Sequence, residues 1–281
     1  MTNWPEIVFT TVFLAQILLI SWYVPAKILK RMDYVMTHYP RSEYPKLYPR
    51  SEEFYRLGQM LFRNANRIIF LLGFAFLYLA LTTGRETIPD VIPGGYFILQ
   101  FVPLMAMELW ECNNFKLMRQ SNTSTKRTAE LRRRDLFRYV SPWLVVSAAL
   151  AFVMAISAEL FMPGQVFEWD KVIVLTLGCG FLMGIAAFNL YGRKLNPHQS
   201  AGERARFISI AVHSMFYLVI AICAYFTFKS VEDALDLQNI DAISMSVYMQ
   251  LVAFLSIGVV LRSTDPEDID FSVYRADPTS T

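Results

Sequence analysis

Charge is confined to short intervals in this chain, and between them apolar residues run for about the length needed to cross a bilayer. Seven such runs can be drawn, at 7–25, 66–83, 95–114, 139–160, 172–191, 207–228 and 243–261. A transmembrane helix needs about 20 mainly apolar residues, whereas a helix of a water-soluble domain keeps a polar face along its length. The composition agrees: 18% of residues are charged, against about 25% in soluble domains, and the mean hydropathy is +0.34.

The expected fold is therefore all-α, a polytopic transmembrane helix bundle of about seven spans. It forms one domain over 1–262, with a cytoplasmic segment at 26–62 and a flexible acidic tail at 263–281. The second run is short, and Arg63 and Arg67 extend it by snorkelling to the interface. The third is the least clean, because Glu108 and Glu111 lie near its end. The first run has no cation before it and no small-residue cleavage site after it, so it reads as an uncleaved span.

Lysine and arginine set the orientation. The intervals after spans 1, 3 and 5 hold nine (counting Arg67), eight and four of them, and the tail holds two. The opposite loops hold Arg85, Lys171 and Lys229 alone, so 23 of the 26 cations share one side. That side is expected to be cytoplasmic, with the N-terminus outside and the C-terminus inside; in a bacterium the membrane would be the inner one.

A hydroxyl residue and a nearby Glu precede spans 2, 4 and 6, at Ser51, Thr128 and Ser200. The pattern suggests one leading helix followed by three helical hairpins, although any alternating topology produces something similar. Ser200 and Glu203 have capping-box spacing. Residues 27–36 place Ile28, Met32, Val35 and Met36 opposite Lys27, Lys30 and Arg31, as an interfacial helix would. Tyr-Pro-Arg-Ser-Glu then occurs twice, from Tyr39 and from Tyr48. Its prolines favour a stiff extended connector with interfacial tyrosines, or a docking strip for a partner.

Ionisable residues at membrane depth mark candidate sites. Glu108 lies eight residues before Lys116, about 12 Å along a helix, and His213 lies at a similar depth after Arg206. With Glu111, Arg63 and Arg67 they suggest an intramembrane polar cluster on spans 2, 3 and 6. It reads first as a structural ion pair, next as a proton or ion relay, and last as a metal site completed by Cys112. No Glu-x-x-His or His-x-x-x-His spacing supports a metal, and neither a metal nor a cofactor is expected.

Thr176, Gly180 and Gly184 offer a small-residue face for close helix packing, within the chain or in a homo-oligomer. Lys126, Arg127, Arg132, Arg133 and Arg134 form a basic cluster suited to anionic lipid headgroups or a protein partner. The three cysteines, Cys112, Cys179 and Cys223, lie inside apolar runs and read as packing residues.

The expected partners are the bilayer and a protein on the cytoplasmic face, with no role for nucleic acid. Phosphate-loop, His-Glu-x-x-His and Gly-x-Ser-x-Gly signatures are missing from the sequence. The topology is shared with rhodopsins and heptahelical receptors, but span 7 has no lysine for a Schiff base and span 3 ends in Asn113-Asn114-Phe115-Lys116. The leading expectation is a non-enzymatic membrane component: a scaffold, assembly subunit or sensor. The alternatives are a small transporter or channel using Glu108 and His213, then a membrane-embedded enzyme.

Overall fold

A computed structural model describes residues 4–83, 91–121, 135–162, 168–192, 196–237, 240–259, 261 and 266–275. Among them the chain is helical, without strands. α1 (Trp4–Gln16) continues through a π-helical stretch (Ile17–Tyr23) into α2 (Val24–His38). There follow α3 (Glu52–Thr83), α4 (Val91–Ser121), the single turn α5 (Leu136–Tyr139), α6 (Pro142–Phe161), α7 (Trp169–Tyr191), α8 (Ala201–Ala234) and α9 (Asp241–Ala253). α9 runs on through a second π-helical stretch, Phe254–Gly258.

Six helices are long and apolar enough to cross a membrane: Glu6–His38, α3, α6, α7, α8 and Asp241–Gly258. Such a set fits an integral membrane protein. Large apolar side chains on their outer faces, such as Leu71, Tyr78, Leu150, Phe161, Leu177 and Phe181, are exposed, as lipid-facing residues would be. α4 is 31 residues long but is not one of the six. Gly94, Gly95, Gln100, Glu108 and Glu111 dilute its apolar run.

Cross-helix contacts fix the direction of each helix. Phe13 meets Phe76 and Trp22 meets Phe70, so α1 and α3 are antiparallel. Gly58 faces Trp110 and Gly73 faces Tyr96, so α4 lies antiparallel along α3 for about four turns. Lys171 pairs with Asp233 and Arg204 donates to the Gly192 carbonyl, making α7 and α8 antiparallel. Ser209 donates to the Tyr139 carbonyl and Ser230 to Glu159, so α6 runs parallel to α8. Lys229 of α8 pairs with Asp241 at the start of α9 and Arg31 reaches the Leu261 carbonyl beyond its end, so α9 is antiparallel to α8 and parallel to α1. The long helices therefore alternate strictly, and one end of the bundle collects Glu6, Glu159, Glu168, Asp170, Asp233 and Asp241. The other end collects Lys27, Arg56, Lys116, Arg119, Arg138 and Arg204.

The bundle has two parts joined where α8 packs on α9. One is α1, α3, α4 and α9, around Phe13, Ile17, Ile69 and Tyr96. The other is α6, α7 and α8, around Ala155, Leu175, Val212 and Phe216. α6 and α7, expected to form a hairpin, barely pack on each other; both lie against α8, the longest helix. The face of α7 turned to α8 carries Leu175, Cys179, Ala186 and Leu190.

Thr176, Gly180 and Gly184 are on the exposed face of α7, and a Cβ on either glycine would meet nothing within 4 Å. The small-residue face therefore does not pack against another described helix. The glycine that does is Gly178, whose Cβ would come to 3.0 Å from Ile222 of α8.

Local signals explain several boundaries. Ser200 caps α8 by accepting from the Glu203 N–H, while Glu203 accepts from the Ser200 N–H, a complete capping box. Pro142 starts α6 behind Ser141, where its missing N–H costs nothing. Span 4, expected from 139, thus begins after a bend at 140–141. Pro25 has no N–H to give the Ser21 carbonyl, and the π-helical stretch ends two residues before it.

The tail between 266 and 275 is folded, where a flexible segment was expected for want of an apolar pattern. Ile269, Phe271, Val273 and Tyr274 supply one over six residues and pack on Tyr39, Tyr44 and Leu47.

Candidate functional site

The most elaborate polar arrangement lies inside the first half-bundle, as a chain of hydrogen bonds through four helices. Ser246 of α9 donates to Gln16 Oε1 at 2.5 Å, and Gln16 Nε2 donates to Gln100 Oε1 of α4 at 3.0 Å. Gln100 Nε2 donates to Ser21 Oγ at 2.8 Å. The Tyr96 hydroxyl donates to the Ile69 carbonyl of α3 at 3.0 Å, so the 3.3 Å contact between Ser21 and Tyr96 has Ser21 as donor. Every bond points the same way, from α9 to α3. Gln16 and Ser246 have no exposed surface, and Gln100 has 1%.

Two backbone features make this geometry. In an α-helix, residues five apart diverge by about 140° around the axis. The π-helical stretch after Gln16 closes i→i+5 bonds instead, which brings Gln16 and Ser21 to one side, where both meet Gln100. On α3, Gly73 lets the Tyr96 hydroxyl reach the Ile69 carbonyl, because a Cβ there would overlap that hydroxyl and come to 2.9 Å from Ile17 Cγ1. Beside the chain, Gln250 Nε2 donates to the Val12 carbonyl at 2.9 Å.

At the acidic end, charged groups clamp the second half-bundle to α9. Lys229 pairs with Asp241 and lies 3.6 Å from both Glu232 and Asp233. Lys171 bridges Asp233 at 2.8 Å and Glu168 at 3.3 Å. Ser244 donates to Glu232 at 3.3 Å. The two lysines occupy the places between carboxylates where a bound cation would otherwise be needed.

At the basic end the Tyr-Pro segment and the tail close around a small aromatic core. Tyr39 stacks on Phe271 with centroids 4.0 Å apart, and the Arg275 guanidinium lies over Tyr44 at 5.5 Å. Asn196 donates to the Tyr274 hydroxyl, and the Asp270 N–H donates to Glu203 at 3.1 Å, tying the tail to the start of α8. Arg31 of α2 donates to the Leu261 carbonyl. Burial, with the nearby Tyr55 and Glu52, pushes the Tyr48 hydroxyl up to about 12.

The cluster expected from Glu108, Glu111, His213, Arg63 and Arg67 is not assembled. Both glutamates and both arginines are exposed on the outer faces of α4 and α3, and no ion pair or hydrogen bond among the described residues joins them. Among the described residues the buried positions of α4 are Gly94, Tyr96, Phe97, Gln100, Pro103, Asn114 and Met118, a face that excludes both acids. His213 is half-buried on α8, its Nδ1 2.7 Å from the Ser209 carbonyl. α8 packs on α5, α6, α7 and α9, whereas α4 packs on α3 and α9. Lys126, Arg127, Arg132, Arg133 and Arg134 lie outside the described residues.

The sequence reading did not single out Gln16, Gln100 and Tyr96. The signal was available, since a glutamine in the middle of an apolar run must find a partner on another helix. Cys179 and Cys223 pack as expected, in the α7–α8 interface with their sulfurs 3.8 Å apart. Among the described residues no three His, Cys, Asp or Glu side chains are grouped to hold a metal ion. No protein family, curated protein or solved structure matches the chain.

Proposed function

We propose that the chain is a seven-span membrane protein, N-terminus outside and C-terminus in the cytoplasm, working as a non-enzymatic component through its basic, aromatic cytoplasmic end. α4 is the seventh span in this reading. It lies along α3 for about four turns, and Gln100 is buried against α1 in the same layer. The strict alternation of helices collects most of the described cations at one end, Lys171 and Lys229 excepted, and by the positive-inside rule that end reads as cytoplasmic.

The observation that carries the functional reading is the tail folded on the Tyr-Pro segment. Arg275 and Tyr44 are 231 residues apart in sequence. Bringing them together closes the tail and the Tyr-Pro segment around a small buried core of Tyr44, Phe271 and Tyr274, which gives the cytoplasmic end a defined surface with Arg275 exposed on it. Arginine is among the groups enriched in protein interfaces. A scaffold, assembly subunit or sensor needs such a surface; a chain that served only to fill the bilayer would not.

Affinity purification from native membranes in mild detergent tests this. A stoichiometric partner is expected with the natural chain and is expected to be lost from the Tyr44→Ala/Tyr274→Ala variant. Recovery of the protein alone would overturn the reading. A transporter is the second reading, favoured by the π-helical stretch beside buried Gln16 and Gln100, a kind of irregularity common at functional sites. Solute flux into proteoliposomes that stops with Gln100→Leu would support it.

A further inference from the structure

Arg50 lies two residues before α3, with its guanidinium over the Phe54 ring, 4.2 Å from the centroid. Phe54 in turn rests on Trp110 of α4, with centroids 4.5 Å apart. The Nε of Arg50 is shut off from solvent and has no hydrogen-bond partner. The nearby Arg56 is different, since it donates to Glu52 at 3.0 and 2.7 Å.

Tyr55 repeats the anomaly. Its ring packs edge-on against Tyr48 and Phe54, and its hydroxyl is buried. The Arg50 backbone N–H points at that hydroxyl oxygen and the charge of Arg41 is within range, but the hydroxyl's own proton has no acceptor. Two unsatisfied donors and a second arginine therefore meet at one place. A shielded cation without an anion is costly, and a planar guanidinium matches phosphate oxygens better than any other side chain does.

The place narrows the choice of anion. Phe54 lies under the arginine, Trp110 against Phe54 and Tyr48 against Tyr55, rings of the kind that sit at headgroup level. α3 enters its apolar run beyond Arg63 and Arg67. We propose that Arg50 and Tyr55, assisted by Arg41, hold the phosphate of an anionic phospholipid headgroup in a recess between the Tyr-Pro segment and the start of α3. The site rests on the membrane reading only in placing this end at a bilayer surface, and either leaflet would serve.

The test titrates delipidated full-length protein with phosphatidylglycerol or phosphatidylcholine and counts bound lipids by native mass spectrometry. One phosphatidylglycerol is expected to bind at least about tenfold more tightly than phosphatidylcholine. Arg50→Gln/Tyr55→Phe is expected to lose that preference and Arg56→Gln to keep it, with elution volume and helical content checking that each variant folds. Arg50→Lys keeps the charge without the fork and is expected to bind more weakly than the natural chain. No preference in the natural chain, or an undiminished one in the folded double variant, would overturn the site. So would displacement of the lipid by millimolar inorganic phosphate, since the ligand would then be a soluble anion. Loss of the site with helix orientation intact would leave the membrane reading standing.

Discussion

Gln16 and Gln100 face each other inside the bundle, the amide of one donating to the carbonyl of the other at 3.0 Å, with Ser246 and Ser21 completing both ends. Neither side chain could be left alone there, because a buried amide without partners costs more than a paired one returns. Gln100→Ala should therefore destabilise the protein by about 1–3 kcal/mol. Gln16→Leu/Gln100→Leu should cost less than the sum of the two single changes. Unfolding in detergent by a graded denaturant, run as a double-mutant cycle, measures the difference, and strictly additive costs would contradict the pairing.

Gly73 is the second requirement of that chain. Gly73→Ala must push Tyr96 off the Ile69 carbonyl or part α3 from α1, at about 1–3 kcal/mol. Gly180→Ala meets nothing within 4 Å and is expected to change stability by less than about 0.5 kcal/mol. Thermal unfolding of both variants in one detergent checks the contrast. The reverse order would mean that the close helix crossing lies on α7.

Lys229 holds together carboxylates from α8 and α9, of which Glu232 is 2% exposed. Removing one partner of a buried ion pair costs about 3–5 kcal/mol. Lys229→Met should approach that loss, and adding Glu232→Gln should recover part of it by removing the stranded charge. Denaturant unfolding of the single and double variants reads the recovery.

Tyr48 makes the aromatic cluster at the basic end sensitive to alkali. Burial raises its hydroxyl to about 12, while the unfolded chain titrates near the ordinary value of about 10. The folded state therefore binds the proton more tightly. Its contribution to stability is complete below pH about 10 and is lost as pH rises toward 12. Absorbance of ionised tyrosine should show a late-titrating group that disappears in Tyr48→Phe.

The helices were legible because a bilayer demands long apolar runs and puts charge between them. The Ser200–Glu203 cap was legible because its chemistry is local. Which face each helix buries was not. From their depth Glu108 and Glu111 read as members of an intramembrane cluster with Arg63, Arg67 and His213, but the buried face of α4 follows Tyr96, Gln100, Pro103, Asn114 and Met118. The π-helical stretch was hidden for a related reason: Pro25 marks where an α-helical bond is lost, but not that Gln16 and Ser21 then share a side. The tail escaped notice because its apolar residues acquire meaning only once Tyr39 and Tyr44 are beside them.

The central claim is the direction in which α4 and its neighbours cross the membrane. Single cysteines at Thr83, Asp170, Arg119 and Gln199, in a chain whose three native cysteines are replaced by alanine, can be challenged with a membrane-impermeant maleimide on intact cells. Positions 83 and 170 are expected to react at once, and positions 119 and 199 only after lysis. Reaction of position 119 together with 83 would show that α4 does not cross, and the seven-span account would fail.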